Sequence, residues 1–82
     1  MFTTYILYST KLNKFYTGQT EDIGRRLEEH NRGKTNFTRN GSPWILVFTI
    51  EFDNRVDAVA LEKKIKKRGA GRFLQDNGIE VR

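Results

Sequence analysis

The sequence predicts an α+β fold, a small three-stranded sheet flanked by helices, and three observations carry that prediction. Two β-prone runs, residues 3–8 and 15–17, flank a polar stretch containing Asn13 and read as a hairpin. Residues 44–52 form the strongest β signal, nine residues in which only Thr49 and Glu51 are polar. Two amphipathic segments follow helix-start signals, one after residues 20–22 and one after Asn54. The expected order is β-β-α-β-α, with room for a short C-terminal helix.

Each element has a local reason. Gly18 after the second strand suggests a backbone turn that a side chain would resist. Thr20-Glu21-Asp22 then supplies capping groups and negative charge for a first helix, whose apolar stripe is set by Ile23 and Leu27. That helix should stop near Asn31, where Gly33 offers a C-terminal cap and Arg32 and Lys34 complement the dipole. Residues 33–43 are polar and basic, with Phe37 the one large apolar side chain, and read as a loop. The run at 44–52 is expected to be a central strand, buried on much of both faces, around which a mixed or antiparallel sheet is built. Asn54 with Asp57 resembles a capping box and opens a second helix with Ala58, Leu61 and Ile65 on one face, ending at Gly69. Residues 71–75 suit a further helical turn.

Composition narrows the function. A chain of 82 residues fits one domain, 1–82, with its core at about 3–75 and a short tail. No cysteine is present, which removes disulfides, thiolate catalysis and cysteine-ligated zinc and is compatible with a reducing cytoplasm. The longest apolar stretch is too short to cross a membrane, so a cytoplasmic protein is expected. Fifteen Lys and Arg against ten Asp and Glu give a net charge of +5, which favours polyanionic partners.

Five residues carry chemistry. Tyr5 and Tyr16 fall on adjacent strands of the hairpin and, in suitable register, share a face; a cross-strand aromatic pair is the plainer account of them. Arg26 and His30 are one helical turn apart, beside the Ile23 and Leu27 stripe, so Arg26 can reach over the sheet while Arg25 faces solvent. A histidine near a helix C-terminus also has a dipole role. Glu62 sits at the rim of the second helix's buried face; a helix ion pair would explain it, and so would a magnesium ion at a phosphate. Six of the fifteen basic residues lie between Lys63 and Arg72. With Arg32, Lys34 and Arg39, the lysines Lys63, Lys66 and Lys67 could line a phosphate track.

In order and spacing these residues resemble the GIY-YIG nuclease superfamily. The first signature corresponds to Thr3-Thr4-Tyr5, keeping the tyrosine, and the second to Tyr16-Thr17-Gly18, keeping tyrosine and glycine. Arg26 matches the arginine of the first helix, His30 the histidine or tyrosine one turn later, and Glu62 the metal-binding glutamate of the next long helix. The chain looks most like the small stand-alone bacterial, excinuclease-like group, through His30-Asn31-Arg32-Gly33-Lys34, Thr38-Arg39, Pro43-Trp44 and Glu62-Lys63-Lys64-Ile65-Lys66. Leu74 stands where several family members carry asparagine.

The resemblance implies a DNA endonuclease, with DNA preferred to RNA, in repair or DNA processing. It implies a tyrosine, Tyr5 or Tyr16, as general base or its hydrogen-bond partner, and His30 orienting or sharing that role. Arg26 would offset transition-state charge, Glu62 would hold a single Mg²⁺ or Mn²⁺, and Gly18 would permit close backbone approach. A free tyrosine titrates near 10, so base catalysis at neutral pH asks for a lowered pKa, and Arg26 is the expected source. Larger relatives take specificity from attached domains, which makes a targeting protein partner a natural expectation. The competing accounts are a nucleic-acid-binding module that keeps the fold without activity, and a protein-interaction domain.

Overall fold

The computed structural model describes residues 1–35 and 38–80, so Phe37 of the expected loop lies outside the described residues. Its elements are β1 (Phe2–Ser9), β2 (Lys14–Thr20), α1 (Ile23–Asn31), a 3-10 turn (Arg39–Gly41), β3 (Trp44–Phe52), α2 (Arg55–Arg68) and α3 (Ala70–Asp76). The strands form one sheet in the order β2-β1-β3, antiparallel throughout. Among the described residues no helix is long and apolar enough to cross a membrane.

The local signals act as their chemistry requires. Asn13 takes a positive φ of 54° in the hairpin turn, a conformation asparagine tolerates better than most residues. Asp22 caps α1 by accepting from the Arg25 amide at 3.1 Å, and Asn54 caps α2 by accepting from the Asp57 amide at 2.8 Å. Gly69, at φ 95°, separates α2 from α3 with a backbone conformation that side chains resist.

β3 is not the central strand. β1 holds that place, and its Tyr5, Ile6 and Leu7 are at most 1% exposed. β1 has a strand on either side and helices over both faces, whereas β3 has one neighbour. Its Ile45 and Ile50 are therefore 50% and 42% exposed. An apolar run reports hydrophobicity, not the number of strands beside it.

The sheet separates two cores. On one face Tyr5, Leu7 and Trp44 pack with Tyr16, Ile23 and Leu27, so α1 covers this side. On the other, Ile6, Ile65 and Leu74 pack with Phe15, Val47, Phe48, Leu61 and Phe73 under α2 and α3. Burying an aliphatic side chain such as Ile6 or Ile65 completely contributes roughly 1.5–3 kcal/mol. Thr4 ties β1 to α2 by donating to the Ala58 carbonyl at 2.8 Å. Leu74 is part of this second core at 1% exposure.

Candidate active site

The hairpin register sets the two tyrosines. Tyr5 pairs with Gly18 and Leu7 with Tyr16, so Tyr5 and Tyr16 lie diagonally on the same face, ring centroids 6.4 Å apart. Gly18 lies inside β2 and makes no turn, contrary to the sequence expectation. Its role is steric. A Cβ there would stand 2.7 Å from the Tyr5 oxygen and 2.9 Å from its Cζ, so the phenol rests on the bare backbone of β2.

α1 brings its inner face over this hairpin. Ile23 and Leu27 pack into the core, and the same spacing puts Arg26 and His30 at the tyrosines. His30 is completely buried, with its ring centroid 4.8 Å from Tyr16 and 6.1 Å from Tyr5. His30 Nε2 lies 3.0 Å from the Tyr5 hydroxyl and Nδ1 lies 2.8 Å from the Thr38 hydroxyl. Trp44 Nε1 donates to the Thr38 carbonyl at 2.8 Å, and Asn31 accepts from the Trp44 amide. Thr38 and Trp44 belong to stretches noticed in the sequence, but their part in the site was not read there. A polar loop gives no local sign that one of its hydroxyls will be buried against a histidine.

The electrostatics differ from the expectation for Tyr5. Burial pushes its phenol up to about 12, and the nearby Tyr16 and Glu62 add to the rise. The Arg26 guanidinium pulls in the opposite direction and loses. Tyr5 is therefore a protonated hydrogen-bond donor at neutral pH, not a phenolate. Burial, reinforced by Arg26, lowers the pKa of His30, against a smaller opposing effect of Glu29. A neutral imidazole thus faces a neutral phenol. Arg26 itself is held by Glu29, Nη1 to Oε1 3.2 Å, with its side chain 33% exposed.

Glu62 comes from α2, on the opposite side of the sheet from α1. It still acts electrostatically on Tyr5, because α2 packs against β2, the strand that Tyr5 overlies. Its carboxylate pairs with Lys66 at 2.8 Å. Among the described residues no group of three His, Cys, Asp or Glu side chains could hold a metal ion, so a protein-only metal cage is not what this site offers. A lone carboxylate does suit Mg²⁺, which keeps several waters and completes its shell with substrate phosphate oxygens.

The basic residues are divided by the sheet. Arg32, Lys34 and Arg39 lie at the end of α1 and in the loop after it, whereas Lys63, Lys66 and Lys67 belong to α2. Arg32 pairs with Glu28 at 3.7 Å and Arg39 donates to the Gly33 carbonyl at 3.4 Å. A cleft at the free edge of β2 is lined by Phe15, Tyr16, Thr17, Lys66 and Ala70, so Lys66 and Tyr16 open onto the same cleft.

The chain is similar to known proteins in sequence and in fold. The chain is 34% identical over 73 residues to a UPF0213 protein of Pediococcus pentosaceus, spanning 84% of this chain and 77% of that one. It is 41% identical over 54 residues to one from Halobacterium salinarum, spanning 65% of this chain and 70% of the relative. The solution NMR structure of a UPF0213 protein from Bacillus halodurans superposes with a TM-score of 0.58 at 31% identity, covering 95% of this chain and 84% of that one. The GIY-YIG catalytic domain matches residues 1–72, and the chain belongs to that family of nucleases.

Proposed function

We propose that the protein is a divalent-metal-dependent endonuclease that hydrolyses phosphodiester bonds in DNA, in repair or DNA processing in the cytoplasm. The observation that carries this reading is the contact between the Tyr5 hydroxyl and His30 Nε2, 3.0 Å, with Arg26 beside it. It joins a proton donor, a neutral base and a fixed cation on one face of the sheet.

The chemistry follows from protonation states. A phenol at about 12 is a poor base by itself at neutral pH. It can accept a proton from water if it passes its own to His30 Nε2 in the same step. Tyr16, half-buried with its ring tilted against that of His30, holds the attacking water by a hydrogen bond. The water oxygen then bonds to phosphorus, the bond to the leaving sugar oxygen breaks, and that oxygen takes a proton from solvent. Arg26 stabilises the negative charge that grows on the phosphoryl oxygens. Glu62 is the residue that would hold a Mg²⁺ or Mn²⁺ ion, whose chemistry is to neutralise charge on the phosphate and the leaving oxygen.

Incubation with branched, nicked and single-stranded DNA and with RNA, in Mg²⁺ or Mn²⁺, tests the proposal. Cleavage should favour DNA and fall at least about 100-fold in Arg26→Ala and Glu62→Ala. Equal traces of cleavage in wild type and both variants would defeat it. The Glu62–Lys66 pair favours a second reading, a nucleic-acid-binding module without turnover, because the pair already satisfies the carboxylate. Salt-sensitive binding with no cleavage by wild type is the outcome that selects it.

A further inference from the structure

We infer that Thr38 is the positioning residue of this site: its hydroxyl accepts the His30 Nδ1 proton and so leaves Nε2 as the lone-pair nitrogen facing Tyr5. The catalytic consequence rests on the nuclease reading. The tautomer does not.

The hydrogen bonds determine the direction. The Thr38 hydroxyl has one proton and two lone pairs, and its own proton can be given to the Thr35 carbonyl, 3.5 Å away. A lone pair is then available to His30 Nδ1 at 2.8 Å. In a neutral imidazole, a proton on Nδ1 makes Nε2 an acceptor. The Tyr5 hydroxyl, 3.0 Å from Nε2, holds its proton and donates it there. Every buried polar atom in the series is satisfied in this arrangement. The reverse tautomer would have Nε2–H donate to the Tyr5 oxygen and strand the Tyr5 proton in a site where Tyr5, His30 and Thr38 are each at most 1% exposed.

The hydroxyl is placed independently of the histidine. The Thr38 carbonyl accepts from Trp44 Nε1 at 2.8 Å, Thr38 donates its amide to the Thr35 carbonyl at 3.2 Å, and Gly41 donates its amide to the Thr38 carbonyl at 3.1 Å. The Gly41 carbonyl in turn accepts from Ser9 Oγ at 2.7 Å. Backbone and tryptophan contacts hold the residue, so its side-chain oxygen can act on His30. A substitution confined to that oxygen should leave the loop where it is.

The measurement is a long-range proton–nitrogen correlation spectrum of the full chain, without metal or DNA, at a pH where His30 is neutral. One histidine and one tryptophan in the sequence make assignment unambiguous. Wild type should show a pyrrole-type Nδ1 and a pyridine-type Nε2. Thr38→Ser should keep that pattern, and Thr38→Val should lose it by moving protonation to Nε2. The Trp44 indole signal reports the loop, and its unchanged position certifies that Thr38→Val has folded as wild type. A protonated Nε2 in wild type, or a Thr38→Val spectrum identical to wild type, overturns the inference.

In the cleavage assay, turnover should fall at least about 10-fold in Thr38→Val, with DNA affinity unchanged, and Thr38→Ser should restore most of it. Equal losses in both variants, or an affinity loss as large as the turnover loss, would overturn the positioning role. A wild-type protein with the expected tautomer that cuts nothing refutes the nuclease reading alone and leaves the tautomer assignment supported.

Discussion

Tyr5 and His30 each have a pKa moved by burial, and the two shifts act at opposite ends of the pH scale. The Tyr5 phenol is raised from 10 to about 12, so between these values the native state binds a proton that the unfolded chain has released. Its contribution to stability is complete below pH 10 and disappears as pH rises through 12. His30 is lowered from 6.5, so the unfolded chain binds its proton first. That contribution is complete above about pH 6.5 and declines as pH falls towards the lower folded value. Urea midpoints measured against pH should therefore fall in both windows. Tyr5→Phe should flatten the alkaline decline and leave the acid one; an unchanged alkaline slope would mean that Tyr5 titrates normally. The proton relay adds a kinetic corollary, since His30 must be neutral to accept. The acid limb of cleavage should lie below 6.5, and a limb centred above that value would remove His30 from the relay.

Strand pairing converts these residues into a site, and Gly18 is where the pairing is most exacting. Alanine in a strand interior is ordinarily better than glycine by roughly 0.5–1 kcal/mol. Here the added Cβ would meet the Tyr5 phenol at 2.7 Å, and overpacking of that kind costs about 1–3 kcal/mol. Gly18→Ala should lower the urea midpoint and reduce cleavage by shifting the phenol from His30. A stabilised, fully active variant would show that β1 and β2 have room to spare. The sequence displayed the glycine without its reason. Positive-φ turns and steric contact both call for glycine, and the choice between them depends on register, which only the folded hairpin specifies. Caps and helix faces were readable because their partners lie three or four residues away: Asp22 with Arg25, Asn54 with Asp57, Arg26 with His30. The central place of β1 and the burial of Thr38 were not, since both depend on contacts between distant parts of the chain. Arg26 does pull the Tyr5 pKa down, but the expected net lowering failed similarly, because charge is visible in a sequence and desolvation is not.

Across the whole molecule, Lys66 stands where two demands compete. It pairs with Glu62, the carboxylate proposed for the metal, and it lines, with Tyr16, the cleft at the free edge of β2. Its side chain is 56% exposed, so the pair is screened and exchangeable, and a divalent ion arriving with a phosphate can displace it. Released from Glu62, the same lysine can contact a backbone phosphate. Removing it should consequently move two equilibria in opposite directions. Lys66→Gln should tighten Mn²⁺ binding measured by calorimetry without DNA, because the competing cation is gone. It should also weaken DNA binding and reduce the slope of log affinity against log salt by about 0.9, the effect of one phosphate contact on B-form DNA. Lys67→Gln provides the comparison, since Lys67 is on the same helix but outside the Glu62 ion pair: it should reduce the salt slope similarly while leaving Mn²⁺ affinity unchanged. Equal Mn²⁺ affinities in the two variants would show that Lys66 does not compete for Glu62, and the proposed exchange of lysine for metal at that carboxylate would have to be abandoned.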